Sequence, residues 1–192
     1  MSFKEMINNN KFSLVVSLPA NDLELAKAAL EGGADAVKVH CNVWHRASGH
    51  TFGTYAENKA FLRDLIALCG DVPVGLVPGT SEAFITEAEL RELEEMGLDF
   101  ISAYSHNLPC FAMDSRKITN AVAIGFDYTE SVLDAVRDSD IAVLECSVVR
   151  GEEYGKNLTC ADILRYGSIV RRTGKRCMVP TQKKIRPEDV KY

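Results

Sequence analysis

Gly33-Ala-Asp-Ala-Val-Lys-Val-His40 is the stretch on which the reading of the fold turns. Two later stretches share its register: Gly97-Leu-Asp-Phe-Ile-Ser-Ala-Tyr104 and Ser139-Asp-Ile-Ala-Val-Leu-Glu145. In each, an aspartate (Asp35, Asp99, Asp140) opens an apolar run, and aligned positions follow three and five residues later. A glycine and an aspartate in this order also make an ordinary helix-to-strand turn. Three repetitions at equivalent places, however, suggest strands that contribute side chains to shared layers of a closed barrel.

Outward from these stretches, short apolar runs alternate with amphipathic segments. The runs cover residues 13–19, 36–41, 72–78, 100–105, 118–126, 141–149 and 176–181. Nearly continuous apolar runs of this length mark strands buried on both faces of a parallel sheet. Between them lie helices with recognisable ends. Asn21-Asp22 precedes the segment 23–30, which Gly32-Gly33 closes. Residues 55–68 close at Gly70. Thr86-Glu-Ala-Glu89 has capping-box spacing and Gly97 as its stop. Residues 129–137 and 159–172 follow, the second ending at Gly174. The crossover 106–117 contains Pro109 and lacks a helical period, so it reads as irregular. Strand–helix–strand units with right-handed crossovers fit a (β/α) barrel or an open doubly wound sheet, and the echo favours the barrel.

At 192 residues the chain reads as a single domain, residues 1–192. Hydrophobic residues make up 46% and charged residues 26%, which supports a packed core and excludes disorder as the main state. Lys and Arg total 22 against 27 Asp and Glu, a net charge of −5, which argues against a nucleic-acid partner. No apolar run is long enough to span a membrane, and the first ten residues lack a secretory signal. The six cysteines include no C-x-x-C pair, so they read as reduced thiols in the cytoplasm.

After the seventh run comes Lys184-Ile-Arg-Pro-Glu-Asp-Val-Lys-Tyr192, which looks like the first turn of a helix with Pro187 at its start. A full barrel needs at least about 200 residues. The expected fold is therefore α/β, a TIM-type (β/α) barrel incomplete at its C-terminus, with seven strands and no eighth. Uncovered parallel edges invite pairing, so a homodimer or higher oligomer is expected to cover them.

The pattern resembles the phosphate-binding (ribulose-phosphate-binding type) (β/α)8-barrel superfamily, which includes sugar-phosphate epimerases and aldolases. The carrying residues are Leu14-Val-Val-Ser-Leu-Pro19, the stretch 26–40 around Gly32-Gly-Ala-Asp-Ala-Val-Lys38, and Val72-Pro-Val-Gly-Leu76. The chain departs from the D-x-K-x-x-D motif of the orotidine-phosphate decarboxylase relatives, because Ala36 and Cys41 flank Lys38. Class I aldolases of this superfamily mostly carry their lysine on the sixth strand, where this chain has Glu145. The phosphate cradle that the resemblance implies after the seventh and eighth strands has no glycine-rich counterpart after Thr181.

In a barrel, chemistry sits at the C-terminal ends of the strands. The polar residues there are Ser17, Lys38, His40, Tyr104, His106, Asp127, Glu145, Ser147, Thr181 and Lys183. Lys38 and Glu145 are charges inside apolar strands, where an unpaired charge costs several kcal/mol. Both are expected to face inward and to share one pocket. The register places His40 level with Tyr104 and Glu145. The segment 42–55 holds the only Trp, two of the four His and two Gly. In it, Arg46 and Ser48 with the backbones of Gly49 and Gly53 suit a phosphate or carboxylate. His45 and His50 lack a recognised metal-ligand spacing, and no nucleotide-binding glycine motif follows any strand, so no metal and no cofactor are expected. Alternation turns Cys41 and Cys146 toward the helices and away from the chemistry.

These residues point to an isomerase or epimerase that moves a proton next to a carbonyl on a small sugar phosphate or related carboxylate. Glu145 is its general base, Lys38 stabilises the enolate, and His40 or Tyr104 relays a proton. Ser17, Arg46, Ser48, His106, Thr181 and Lys183 would bind the anionic substrate. The alternatives are a Schiff-base aldolase or lyase using Lys38, and a non-catalytic ligand-binding or assembly protein.

Overall fold

The computed structural model describes residues 1–115 and 117–192. Arg116, within the crossover read as irregular, lies outside the described residues. The strands are β1 (Val15–Ser17), β2 (Ala36–His40), β3 (Val43–His45), β4 (His50–Phe52), β5 (Val74–Val77), β6 (Phe100–Tyr104), β7 (Thr119–Ile124), β8 (Val143–Cys146) and β9 (Arg176–Met178). The helices are α1 (Phe3–Asn9), α2 (Leu23–Glu31), α3 (Tyr55–Cys69), α4 (Glu87–Met96), α5 (Cys110–Met113), α6 (Glu130–Arg137) and α7 (Cys160–Thr173). Among the described residues, no helix is long and apolar enough to cross a membrane.

Seven strands form one sheet in the order β1-β2-β5-β6-β7-β8-β9. A doubly wound sheet reverses its strand order at a switch point, whereas this order follows the chain without reversal. The fold is an incomplete TIM-type (β/α) barrel, with seven strands where the complete architecture has eight. The remaining pair, β3 and β4, forms a separate antiparallel hairpin. The chain divides into two compact units, residues 1–120 and 121–192.

In the first unit, the aspartates of the repeated stretch latch neighbouring strands together. Asp35 donates its N–H to the Leu14 carbonyl at 2.9 Å, and its carboxylate accepts the Leu14 N–H at 2.7 Å. Asp99 does the same to Val74, at 2.9 Å in both directions. Each latch sets the register of the strand that follows: Ser17 pairs with Lys38, and Gly75 with Phe100. The helices start where the side chains cap them. Asp22 accepts from the N–H groups of Glu24 and Leu25, while Thr54 and Thr86 form capping boxes with Glu57 and Glu89. The helices α2–α4 bury their apolar faces against the sheet, with Ala26, Leu62, Leu65, Leu90 and Leu93 meeting Val37, Val39, Leu76 and Ile101.

The helix α1 is not evident from hydrophobic runs, yet Ser2 and Glu5 close a capping box over its first turn. It buries Phe3 and Met6. The Phe3 ring stacks on Phe100 with centroids 3.8 Å apart and planes 15° from parallel. Phe100 in turn needs Gly75 opposite it, because a Cβ there would lie 2.2 Å from the ring. The 106–117 crossover carries the four-residue helix α5.

In the second unit, α6 and α7 cover β7–β9. Leu133, Val136 and Ile169 pack on Ile124, Leu144 and Cys146. Arg172 of α7 joins the two helices, pairing with Asp134 at 2.7 Å and Glu130 at 2.9 Å. Thr159 and Asp162 cap α7, and Gly174 ends it in the left-handed conformation. The turn begun by Pro187 is a 3-10 helix, Pro187–Lys191.

Truncating Phe3 to alanine should lower stability by about 3–5 kcal/mol through the cavity it leaves. Gly75→Ala should cost about 1–3 kcal/mol through overpacking against Phe100. Urea unfolding of both variants checks this, and an unchanged midpoint in either would refute the stacking.

Candidate active site

The alternation of β2 decides which of its residues can do chemistry. Val37, Val39 and Cys41 join the core beneath α3 and α4, so Lys38 and His40 point to the opposite face of the strand. On that face Ser17, Lys38, Gly75 and Phe100 form one row across four strands. Lys38 is 7% exposed and His40 only 1%. Cys41, on the helix side, has its thiol pushed up to about 12 by burial, with Glu89 adding to the effect. A protonated, enclosed thiol is a poor nucleophile, as the alternation anticipated.

Beyond His40 the chain turns sharply. Asn42 adopts φ 54°, its N–H bonds to the Gly53 carbonyl at 2.8 Å, and β3 folds back on β4 with His45 opposite His50. The segment read as a loop is therefore a hairpin, and it covers His40. The His45 ring lies 4.2 Å from the His40 ring, and the Phe52 ring 4.6 Å. Ser17 Oγ stands 3.5 Å from His40 Nε2, while His40 Nδ1 is buried with no hydrogen-bond partner among the described residues. Burial above all, then His45 and Lys38, pushes the His40 imidazole down to about 2. It is neutral at physiological pH, so it exchanges hydrogen bonds instead of storing a proton.

The other residues nominated in this unit are distributed around the strand ends. Tyr104 is partly buried at the end of β6, its ring stacked on exposed His106 with centroids 5.3 Å apart. Ser48 is engaged by His45 Nδ1 at 2.9 Å. Arg46 is exposed, with its guanidinium 5.6 Å from the Trp44 ring. Trp44 is itself 55% exposed.

In the second unit, Leu144 and Cys146 pack beneath α6 and α7, so Glu145 takes the opposite face of β8. It is in register with Ala123 and Met178 and is 7% exposed. Its sharing of one pocket with Lys38 stays an expectation from the sequence. Hydrogen bonding with Cys177, then burial, holds the Cys146 thiol far above its ordinary range.

After β9, Thr181 and Lys183 are exposed, whereas Gln182 and Lys184 are buried. Both Gln182 and Lys183 have positive φ, 46° and 57°. The Gln182 amide donates to Ser147 Oγ at 3.1 Å and to Tyr154 at 3.0 Å, and its oxygen accepts the Val149 N–H at 3.1 Å. Lys184, 4% exposed, lies 2.7 Å from Asp162. The sequence nominated Thr181 and Lys183 and passed over the buried Gln182 and Lys184 beside them. Among the described residues, no group of three or more His, Cys, Asp or Glu is arranged to hold a metal ion.

Burial works against the charge of Asp162, but its bonds to Lys184 and Thr159 outweigh that and hold the carboxyl below its usual range. Its stabilising effect is therefore complete above about pH 4 and is lost as pH falls through the lower folded value. Lys184→Met leaves a buried carboxylate without its cation and should cost about 3–5 kcal/mol at pH 7. That deficit should shrink toward pH 3 as Asp162 protonates. Urea unfolding at the two pH values checks it, and a deficit independent of pH would refute the pairing.

Comparison with protein-family models finds no match, and neither does comparison with curated proteins. Solved structures do match, at fold level. One is KGPDC from Streptococcus mutans, with 14% identity, TM-score 0.59, and coverage of 88% of this chain and 77% of that one. Citrate synthase SbnG matches at 13% identity and TM-score 0.62, covering 99% and 84%. A putative lyase/mutase from Burkholderia cenocepacia J2315 matches at 14% and 0.59, covering 93% and 70%. The likeness is one of barrel architecture.

Proposed function

We propose that this protein is an enzyme that transfers a proton next to a carbonyl group of a small anionic substrate, a sugar phosphate or related carboxylate. The observation that carries the reading is the pairing, on one face of β2, of a buried lysine with a buried histidine held neutral. His40 ends the strand, and the C-terminal ends of the strands are where TIM barrels of every chemistry place their reacting groups.

The step has a simple balance. A base removes the proton from the carbon beside the carbonyl, the C–H electron pair becomes the enolate double bond, and negative charge gathers on oxygen. The Lys38 ammonium stabilises that charge, and a neutral His40 can donate a hydrogen bond to the same oxygen without becoming charged. Return of a proton to the opposite face of the same carbon gives an epimer. Protonation of the enolate oxygen, loss of the proton from the adjacent hydroxyl and protonation of the former carbonyl carbon give an isomer. Glu145 is the base assigned from the sequence, and Tyr104 the second proton carrier. Among the similar structures, one is named a citrate synthase, which supports a small anionic substrate. The narrower assignment to a phosphate-binding type of barrel draws on the sequence resemblance. Ser17, Arg46, Ser48, His106, Thr181 and Lys183 are the proposed substrate-binding residues. The reading places the protein in the cytoplasm with its six cysteines as free thiols.

Incubation with candidate sugar phosphates in deuterated water should give deuterium at the carbon beside the carbonyl. Lys38→Met and, independently, Glu145→Gln should each slow exchange by about 10²–10³-fold. No exchange with any candidate would overturn the reading. A borohydride-trapped covalent adduct on Lys38 would instead assign the Schiff-base lyase.

Self-association is also proposed. Among the described residues, strand β1 pairs only with β2, and Phe12 and Leu14 leading into it are exposed. A second copy covering this edge should give a dimer by sedimentation at micromolar concentration, and a monomer there would overturn it.

A further inference from the structure

We propose that Asn21 is a positioning residue for His40, its side chain clamping the backbone at the point where β2 ends. The inference rests on His40 belonging to the site just described.

The clamp follows from where β1 stops. Its last ladder bond runs from the Leu18 N–H to the Lys38 carbonyl at 2.8 Å. In register, the next partners of His40 would be the Leu18 carbonyl and the Ala20 N–H. The strand has ended at Ser17, however, and among the described residues neither makes that bond. The carboxamide of Asn21, a peptide group in miniature, takes the vacant place. It donates to the His40 carbonyl at 2.8 Å and accepts from the His40 N–H at 3.4 Å.

The same amide nitrogen donates to Asn58 Oδ1 at 2.8 Å, and Asn58 donates to the carbonyl of Thr54, the cap of α3, at 2.8 Å. Asp22, the neighbour of Asn21, does the capping of α2. Two adjacent residues that the sequence offers as one cap thus have separate tasks.

The consequence falls on the imidazole. Its cover comes from Ser17 on β1 and from His45 and Phe52 on the hairpin, and the charged or titratable groups facing it are Lys38 on its own strand and His45 on β3. All of that cover is aimed at one backbone position. If the end of β2 frays, water reaches the ring and its ordinary proton affinity returns.

Histidine-selective 15N NMR of the full chain between pH 5 and 8 tests this without measuring turnover. In the unmodified protein, His40 should not titrate. In Asn21→Ala and in the isosteric Asn21→Asp, which loses both donor bonds, His40 should titrate within that range, a rise of several pH units toward its usual value of about 6.5. Asn58→Ala disturbs the same chain of bonds but keeps the Asn21–His40 pair, so His40 should stay silent. A silent His40 in folded Asn21 variants would overturn the proposal. So would equal titration in Asn58→Ala, or failure of both Asn21 variants to fold, either of which marks a purely structural network. If deuterium exchange is absent while the NMR result holds, the catalytic reading fails and the clamp survives.

Discussion

Two hydrogen bonds per aspartate set the geometry from which the first unit is built. Asp35 and Asp99 each grip both peptide groups of the residue opening the preceding strand, Leu14 and Val74. The grip fixes register, and in a strand a slip of one residue exchanges its two faces. Slipped by one, β2 would send Lys38 and His40 into the helix-packed core and turn Val37 and Val39 to the other side. Burying a lysine among Leu62, Leu65 and Leu93 would cost several kcal/mol. The latch and the hydrophobic pattern therefore enforce the same register, and that agreement is why the arrangement is specific. Asp99 bears some strain for this. Burial raises its carboxyl above the usual range against the pull of the Val74 N–H, the N-terminal ammonium and the Phe3 backbone.

The repeated stretch was legible as a strand opening, and Asp35 and Asp99 carry that role. What could not be read was their partner, because Leu14 lies 21 residues before Asp35 and nothing local marks the pairing. Helix ends were legible for a related reason. Caps are short-range contacts, so Thr86 with Glu89 and Thr159 with Asp162 can be recognised from spacing alone. By the same logic Ser2 and Glu5 announce α1, but that helix holds only seven residues and two buried side chains, too few for its period to stand out. The hairpin escaped notice for a different cause. Its turn, Arg46-Ala-Ser-Gly49, lacks the Asn-Gly or Asp-Gly pair that signals a tight hairpin, and its strands are three residues each.

At the candidate site, strand parity transferred from sequence to structure. Lys38, His40 and Glu145 lie opposite the helix-packed residues of their strands because alternation is a property of extended backbone. Beyond β9, Gln182 and Lys184 are buried while Thr181 and Lys183 are exposed, and Gln182 and Lys183 leave the extended region. Left-handed non-glycine residues carry a cost of order 1 kcal/mol or more each and persist only where surrounding bonds hold them. Here Gln182 spends its amide on Ser147, Val149 and Tyr154, and Lys184 bonds Asp162.

Asn42 presents the same situation at the end of β2, held at φ 54° by bonds to Gly53 and Pro78. Its role can be argued from what the turn achieves. An extended continuation of β2 would leave His40 facing solvent at the strand end, where water would meet Nδ1 and restore its basicity. The left-handed turn instead folds β3 and β4 back, so that His45 and Phe52 lie against the imidazole. The unpaired Nδ1 is then a cost of about 1–3 kcal/mol that the fold sustains. A polar ligand atom reaching Nδ1 would remove that cost.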